Sequence, residues 1–266
     1  MRKGLIAIFS IALLGVLAVS CKKDAKAPVQ DDKISGDVLT KIAALGFSNK
    51  NVQKHEEGYL VEGDIVIPAE KLNGSPEATF LRIAGEEQYR TFNLVGSLPR
   101  TITVRVSTSL PSSYVTATDE AIRRYNAENL LVRFSRVTSG GSIVLSPAPA
   151  GAGYLASAGF PSGGNPYNSV RVNSAYLGSN PGTNYLATIL AHEMGHCIGF
   201  RHTDYMSRQY SCGGSPVNEG ASTVGAVLIP GTPSGPDAGS WMLACIGTGQ
   251  NRPFNANDRT ALNYLY

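Results

Sequence analysis

The residues best able to do chemistry lie in one stretch, His192-Glu193-Met194-Gly195-His196-Cys197-Ile198-Gly199-Phe200-Arg201-His202. His192 and His196 are four residues apart, so on a helix they share a face and can grip one ion. Glu193, one residue further on, stands beside such an ion, not on it. Gly199 is where a helix would end, since glycine accepts left-handed backbone angles. The turn would swing His202 back as a third ligand. Three neutral imidazoles leave a fourth position for water, as catalytic zinc requires; structural zinc is usually closed by four protein ligands. Zinc lowers the pKa of its water to about 7 and polarises a carbonyl. Glu193 would take that water's proton and pass it to the leaving group. The expected chemistry is therefore hydrolysis at one Zn2+ ion held by His192, His196 and His202, with Glu193 as general base. The chain has four histidines, and three of them are here. The other, His55, lies in a polar stretch and reads as a surface residue.

Positioning these side chains takes a helix over about residues 185–199, where Leu186, Ile189, Leu190, Met194, Cys197 and Ile198 recur at helical spacing and Thr183 would be its N-cap. Upstream, Ile102, Val104 and Val106 alternate with polar residues as in a half-buried strand. Thr116 to Asp119 has a capping-box pattern that would open a helix. Leu130, Val132 and Phe134, then Ile143 to Leu145, read as further strands, and Val170-Arg171-Val172 as a short one. Gly, Pro and Ser dominate the loops at about 147–168 and 207–240. A loop as long as the second is usually functional or ordered by other means. Asn257-Asp258 would cap a last helix that carries Ala261, Leu262 and Leu265 on one face.

With Gly and a third His at fixed offsets, the metal motif resembles that of the metzincin clan. More closely, the chain resembles the dual-action HEIGH metallopeptidases. The resemblance carries Gly195, the run Gly199-Phe200-Arg201-His202-Thr203-Asp204, the upstream Glu87-Gln88-Tyr89-Arg90 with Leu94-Val95, and the downstream Ser240-Trp241-Met242-Leu243-Ala244-Cys245. It spans about residue 36 to the end. It implies an α+β, metzincin-like zincin domain: a twisted mixed sheet, the zinc-site helix, a Met-turn and a C-terminal helix, preceded by a small N-terminal segment. It also implies a zinc peptidase acting on proteins or peptides, with Met242 as the Met-turn residue beneath the metal. Some clan members add a Tyr ligand two residues after that Met; here the position is Ala244. The clan binds substrate as an added strand on a sheet edge near the metal, and Val170–Val172 is the candidate edge. The rival expectation is an envelope zinc-binding protein that keeps this fold without turnover. Intact Glu193 argues against it.

The remaining signals concern export. Met1-Arg2-Lys3 is positive, residues 4–19 are apolar, and Leu17-Ala18-Val19-Ser20-Cys21 resembles a bacterial lipobox. Residues 1–21 are expected to be a signal peptide and Cys21 a lipidation site. Lys22-Lys23-Asp24 suits a lipoprotein anchored in the bacterial outer membrane or at the cell surface. Residues 22–35 read as a tether, 36–96 as a pro-segment or accessory region, and 97–266 as the peptidase domain. In an oxidising envelope, Cys197, Cys212 and Cys245 allow three single pairings. Cys212 with Cys245 is favoured, because both lie in turn-rich segments while Cys197 sits in the metal-site helix. The net charge of +3 and the lack of dense basic runs give no indication of a nucleic-acid partner.

Overall fold

A computed structural model of the chain describes residues 33–73, 88–220, 225–233 and 236–266. The expected signal peptide, Cys21, most of the tether and Glu87 lie outside the described residues. The elements, in chain order, begin with α1 (Gly36–Ala44), β1 (Gln53–His55), β2 (Gly58–Val61) and β3 (Ile65–Pro68). Next come β4 (Tyr89–Arg90), β5 (Arg100–Val106), α2 (Ser112–Asn126), β6 (Val132–Val137), β7 (Ile143–Pro147), β8 (Ala156–Ala158) and β9 (Ser169–Val172). The chain closes with α3 (Ser174–Leu177), α4 (Thr183–Ile198), α5 (Gln209–Cys212), β10 (Val227–Leu228) and α6 (Ala256–Leu265).

The architecture is the α+β, zincin-like fold. Eight strands form one mixed sheet in the order β1-β2-β3-β8-β9-β7-β5-β6, and β4 pairs with β10 in a separate ribbon. Strands β9, β7, β5 and β6 run parallel, and β8 runs antiparallel to β9. The alternation of Ile102 and Val104 in β5, and of Val132 and Phe134 in β6, buries one face of each strand. Against that face pack α2, through Tyr114, Ala117, Ala121 and Tyr125, and α4. Thus α4 is apolar almost all round: every residue from Tyr185 to Ile198 is buried, the mark of a central helix, not a surface one.

Four local expectations are corrected. Helix α2 opens at Ser112 after Pro111, without a capping box; the Thr118 hydroxyl bonds back to the Tyr114 carbonyl instead. Proline fixes the extended backbone that precedes a helix, so the start is set there. Helix α4 is preceded by Gly182, with Thr183 as its first helical residue. Helix α6 starts after Asn255, whose side chain and that of Asp258 form the reciprocal capping box. Strand β9 is interior, flanked by β7 and β8, and β8 is in turn flanked by β3, so the exposed edge expected at Val170–Val172 is not there.

The region upstream of residue 97 divides in two. Residues 88–96 pack into the main body: Gln88 donates to Asp258, and the Thr91 amide donates to the Gly199 carbonyl. Residues 36–73 extend the sheet through β3, whose Ile65 pairs with Ala158 of β8. They carry a small core of their own, Ile42, Phe47, Val61, Ile65, Ile67 and Leu72, which meets Phe160 from the main body.

Candidate metal centre

Helix α4 delivers His192, Glu193 and His196 on adjacent turns, all buried. It stops at Gly199, which adopts φ +109°. A side chain there would be doubly excluded, since a Cβ would come within 2.7 Å of Leu94 and 3.0 Å of the Asn93 carbonyl. The turn returns His202, fully buried, to the two helical histidines. Gly195 is also required by packing: a Cβ would lie 2.6 Å from the Met242 sulfur and 3.2 Å from the Trp241 ring nitrogen.

Each imidazole is fixed through its outer nitrogen. His192 Nδ1 donates to the Trp241 carbonyl at 2.9 Å, and His196 Nδ1 to the Phe200 carbonyl at 2.8 Å. His202 Nδ1 faces both carboxylate oxygens of Glu219 at 3.0 and 3.1 Å. With Nδ1 protonated in all three rings, three Nε2 lone pairs converge. His196 Nε2 is 3.2 Å from His202 Nε2, and Asp64 Oδ2 is 3.2 Å from His202 Nε2 and 3.5 Å from His192 Nε2. The Nε2 of His192 and the Oδ1 of Asp64 are buried without a hydrogen-bond partner. Four such donors meet only around a positive charge, either a metal ion or the proton that Asp64 and Glu219 favour on His202 against the effect of its burial. Bonds of about 2.1 Å in a tetrahedron give edges of about 3.4 Å, so the spacing of this set fits zinc. Among the described residues, Asp64, His192, His196 and His202 form one of two groups able to hold a metal. In the other, Glu62, His202 and Glu219, both carboxylates already pair with arginines.

Against Gly195 of α4, Ser240 to Leu243 make a tight turn. Met242 is fully buried, its amide accepted by the Ser240 hydroxyl, and its carbonyl accepts from Thr203, one residue past His202. Asp258, at the start of α6, accepts from the Trp241 amide and from Gln88. One carboxylate thus links the C-terminal helix to the turn whose Trp241 carbonyl orients His192. Cys212 and Cys245 are joined by a disulfide, while Cys197 is buried and free.

The model of the dual-action HEIGH metallopeptidase family matches residues 59–266. The chain belongs to that family. The match begins inside β2 and so includes Asp64 as well as the three histidines. No curated protein sequence matches the chain. Among solved structures, two of myroilysin resemble this HEIGH metallopeptidase at 13% and 14% identity. They cover 65% and 63% of this chain and 82% and 83% of theirs, with TM-scores of 0.42 and 0.39.

The electrostatics of this HEIGH metallopeptidase centre are set by buried charge. Burial, then the Asp64 charge, pushes the Glu193 carboxyl well above the usual carboxylate range. Its Oε2 has no partner. Burial opposes the Asp64 charge, but His202 and His192 outweigh it and hold that carboxyl well down. Glu219 is likewise lowered: burial works against its charge, and His202 and Arg208 overcome it. Arg208 donates to Glu219 at 2.6 Å and to the Glu62 carbonyl. Arg201, fully buried, donates to Glu62 at 2.9 Å under the rings of Phe47, Phe160 and Tyr205.

Sequence reasoning missed Asp64, Glu219, Arg208 and the Arg201–Glu62 pair. Glu62-Gly63-Asp64 joins two short strands, where polar residues ordinarily face water. For Glu219 one signal existed: it and Asp237 are the acidic residues of the Gly/Ser/Pro-rich stretch 207–240. A cavity of about 260 Å³ opens beside the centre, lined by Asp64, Tyr154, His192, Glu193, Arg208 and Trp241.

Proposed function

We propose that the chain is a zinc-dependent peptidase of the metzincin type. His192, His196 and His202 hold one zinc, Glu193 is the general base, and Met242 supports the site from below. The observation that carries this reading is the convergence of three Nε2 lone pairs whose rings are each locked through Nδ1. Zinc, when bound, supplies Lewis acidity, polarising the scissile carbonyl and acidifying the attacking water. Glu193 lines the cavity beside the donor set. It takes the proton of the attacking water and returns it to the leaving amine. Burial suits it to hold that proton in between.

Cleavage of an unbiased peptide library by wild type and by Glu193→Gln tests this. Wild type is expected to cut and Glu193→Gln to fall by at least about 10²-fold, with one zinc per chain in both. Equal cutting by the two would refute the assignment of Glu193.

A second reading, a zinc-binding envelope protein without turnover, is favoured by one observation. Asp64 makes a fourth protein donor, and closed sets are usual in structural sites. Zinc bound at one per chain with no cleavage by any variant, Asp64→Ala included, would establish it. We also propose that Cys21 is lipidated and anchors the chain in the bacterial envelope, to be read by mass spectrometry of the membrane-extracted protein.

A further inference from the structure

We infer that Arg252 determines specificity: it recognises a carboxylate that the substrate carries next to the bond that is cut. That carboxylate is a Glu or Asp side chain or the substrate's own C-terminus. This deepens the peptidase reading above and rests on it.

The cavity beside the metal centre holds about 260 Å³, room for one side chain and not for a length of peptide. His192 and Glu193 line it, so what enters it lies next to the cut bond. Leu155, Ile189, Leu243 and Ile246 give it apolar walls, and among them stands Arg252. The main chain fixes Arg252 there. Its amide donates to the Thr188 hydroxyl at 3.0 Å. Thr188 precedes His192 by four residues on α4, about 6 Å along the helix axis.

The guanidinium is only partly used. One nitrogen donates to the Cys245 carbonyl at 2.8 Å and another to Gln250 at 3.2 Å. An arginine has five N–H donors in a planar fork, so most of them have no partner among the described residues. The neighbouring arginines are neutralised, Arg208 by Glu219 and Arg124 by Glu120. Arg252 forms no ion pair among the described residues.

Arg252 is half-buried. Burial lowers its pKa from the ordinary arginine value, and the Asp204 charge opposes that without reversing it. The group stays charged all the same. A partly buried charge without a counter-charge is costly. A carboxylate relieves that cost best, because its two oxygens accept parallel N–H bonds from the fork. A merely structural arginine that holds the Cys245 carbonyl has no need of a place on the cavity wall.

The test uses the full zinc-loaded chain and matched peptides with both ends blocked that carry Glu or Gln beside the cut bond. A further pair carries Gln there and ends one residue beyond the cut, as a free carboxylate or as its amide. In one of the two pairs kcat/KM is expected to be about tenfold or more higher for the acid, the worth of a charge-assisted bond. The pair that shows it identifies the source of the carboxylate. Arg252→Gln is expected to bring the ratio to about one, and Arg252→Lys to keep part of it. Each ratio compares two substrates of one protein, so a general loss of folding or rate cancels. Fluorescence anisotropy of the same peptides on zinc-loaded Glu193→Gln, with and without Arg252→Gln, reads the ratio without turnover. If wild type cuts with both ratios near one, the proposal falls and the peptidase reading stands. If Arg252→Gln keeps the wild-type ratio, another group reads the carboxylate and the proposal falls. If no form cuts but binding shows the ratio and Arg252→Gln removes it, the subsite stands and the peptidase reading falls. If neither cutting nor a binding ratio is seen, both fall.

Discussion

Gly195 and Glu219 show how single side chains govern the metal. Gly195 is the residue that lets the Met242 sulfur and the Trp241 ring approach the helix. Gly195→Ala must push the turn away and, with it, the Trp241 carbonyl that orients His192. The expected loss is about 1–3 kcal/mol of stability, typical of overpacking, together with weaker zinc binding; unchanged thermal unfolding and zinc affinity would contradict this packing account. Glu219 acts through His202, not on substrate. Glu219→Gln keeps the shape but replaces a charged acceptor, and is expected to weaken zinc binding about 10–100-fold in a chelator competition. An affinity equal to wild type would show that the Glu219 contact to His202 does not tune the metal. At this scale the legible part was the local part. The three histidines and Glu193 lie within eleven consecutive residues, and a helix plus one glycine fixes their relation. Asp64 reaches His202 across 138 residues and Glu219 across 17, distances over which neither helical nor strand spacing carries information.

Elements were legible where their period was long enough to register. The alternation in β5 and β6 and the apolar run of α4 each extend over six or more residues. Strand β8, Ala156-Ser157-Ala158, has three small residues inside a Gly/Pro/Ser-rich stretch. Only its partners β9 and β3 make it a strand, so it could not be read in advance, nor could the interior place of Val170–Val172 beside it. Helix α2 gives a prediction of its own kind. Hydrogen bonds from Arg123 hold the Glu120 carboxyl down at about 2, against the opposing effect of burial, with Arg124 assisting. A carboxyl depressed on folding stabilises the native state above its unfolded pKa of about 4.3, and that stability is lost as pH falls through the folded value. Thermal unfolding of Glu120→Gln should therefore lie below wild type at pH 6 and meet it near pH 2. A gap that is constant across that range would rule out the ion pair as its source.

For the molecule as a whole, the candidate metal group joins parts of the chain that are far apart in sequence, the hairpin turn between β2 and β3 among them. Its donors come from the hairpin, from α4 and from the turn after it. The segment that follows His202 and includes Met242 is closed by the Cys212–Cys245 disulfide across 33 residues. Closing a loop of that length is worth ~3–4 kcal/mol on the chain-entropy account. Cys245→Ser should lower the unfolding temperature accordingly, whereas a change below the scatter of the measurement would mean that the loop is ordered without it. Family membership and the α+β class were both legible, because they rest on a contiguous motif and on strand and helix periods. The docking of residues 36–73 beside the three histidines was not, because it depends on the short strands β3 and β8 and on a buried turn that look like ordinary loop in sequence.

Hydrolysis of an unbiased peptide library by the zinc-loaded wild-type chain, beside Glu193→Gln, bears most directly on the function. The account predicts that the first cuts and the second does not, with one zinc bound in each. Cleavage by both at the same rate, or by neither while zinc is bound, would contradict it.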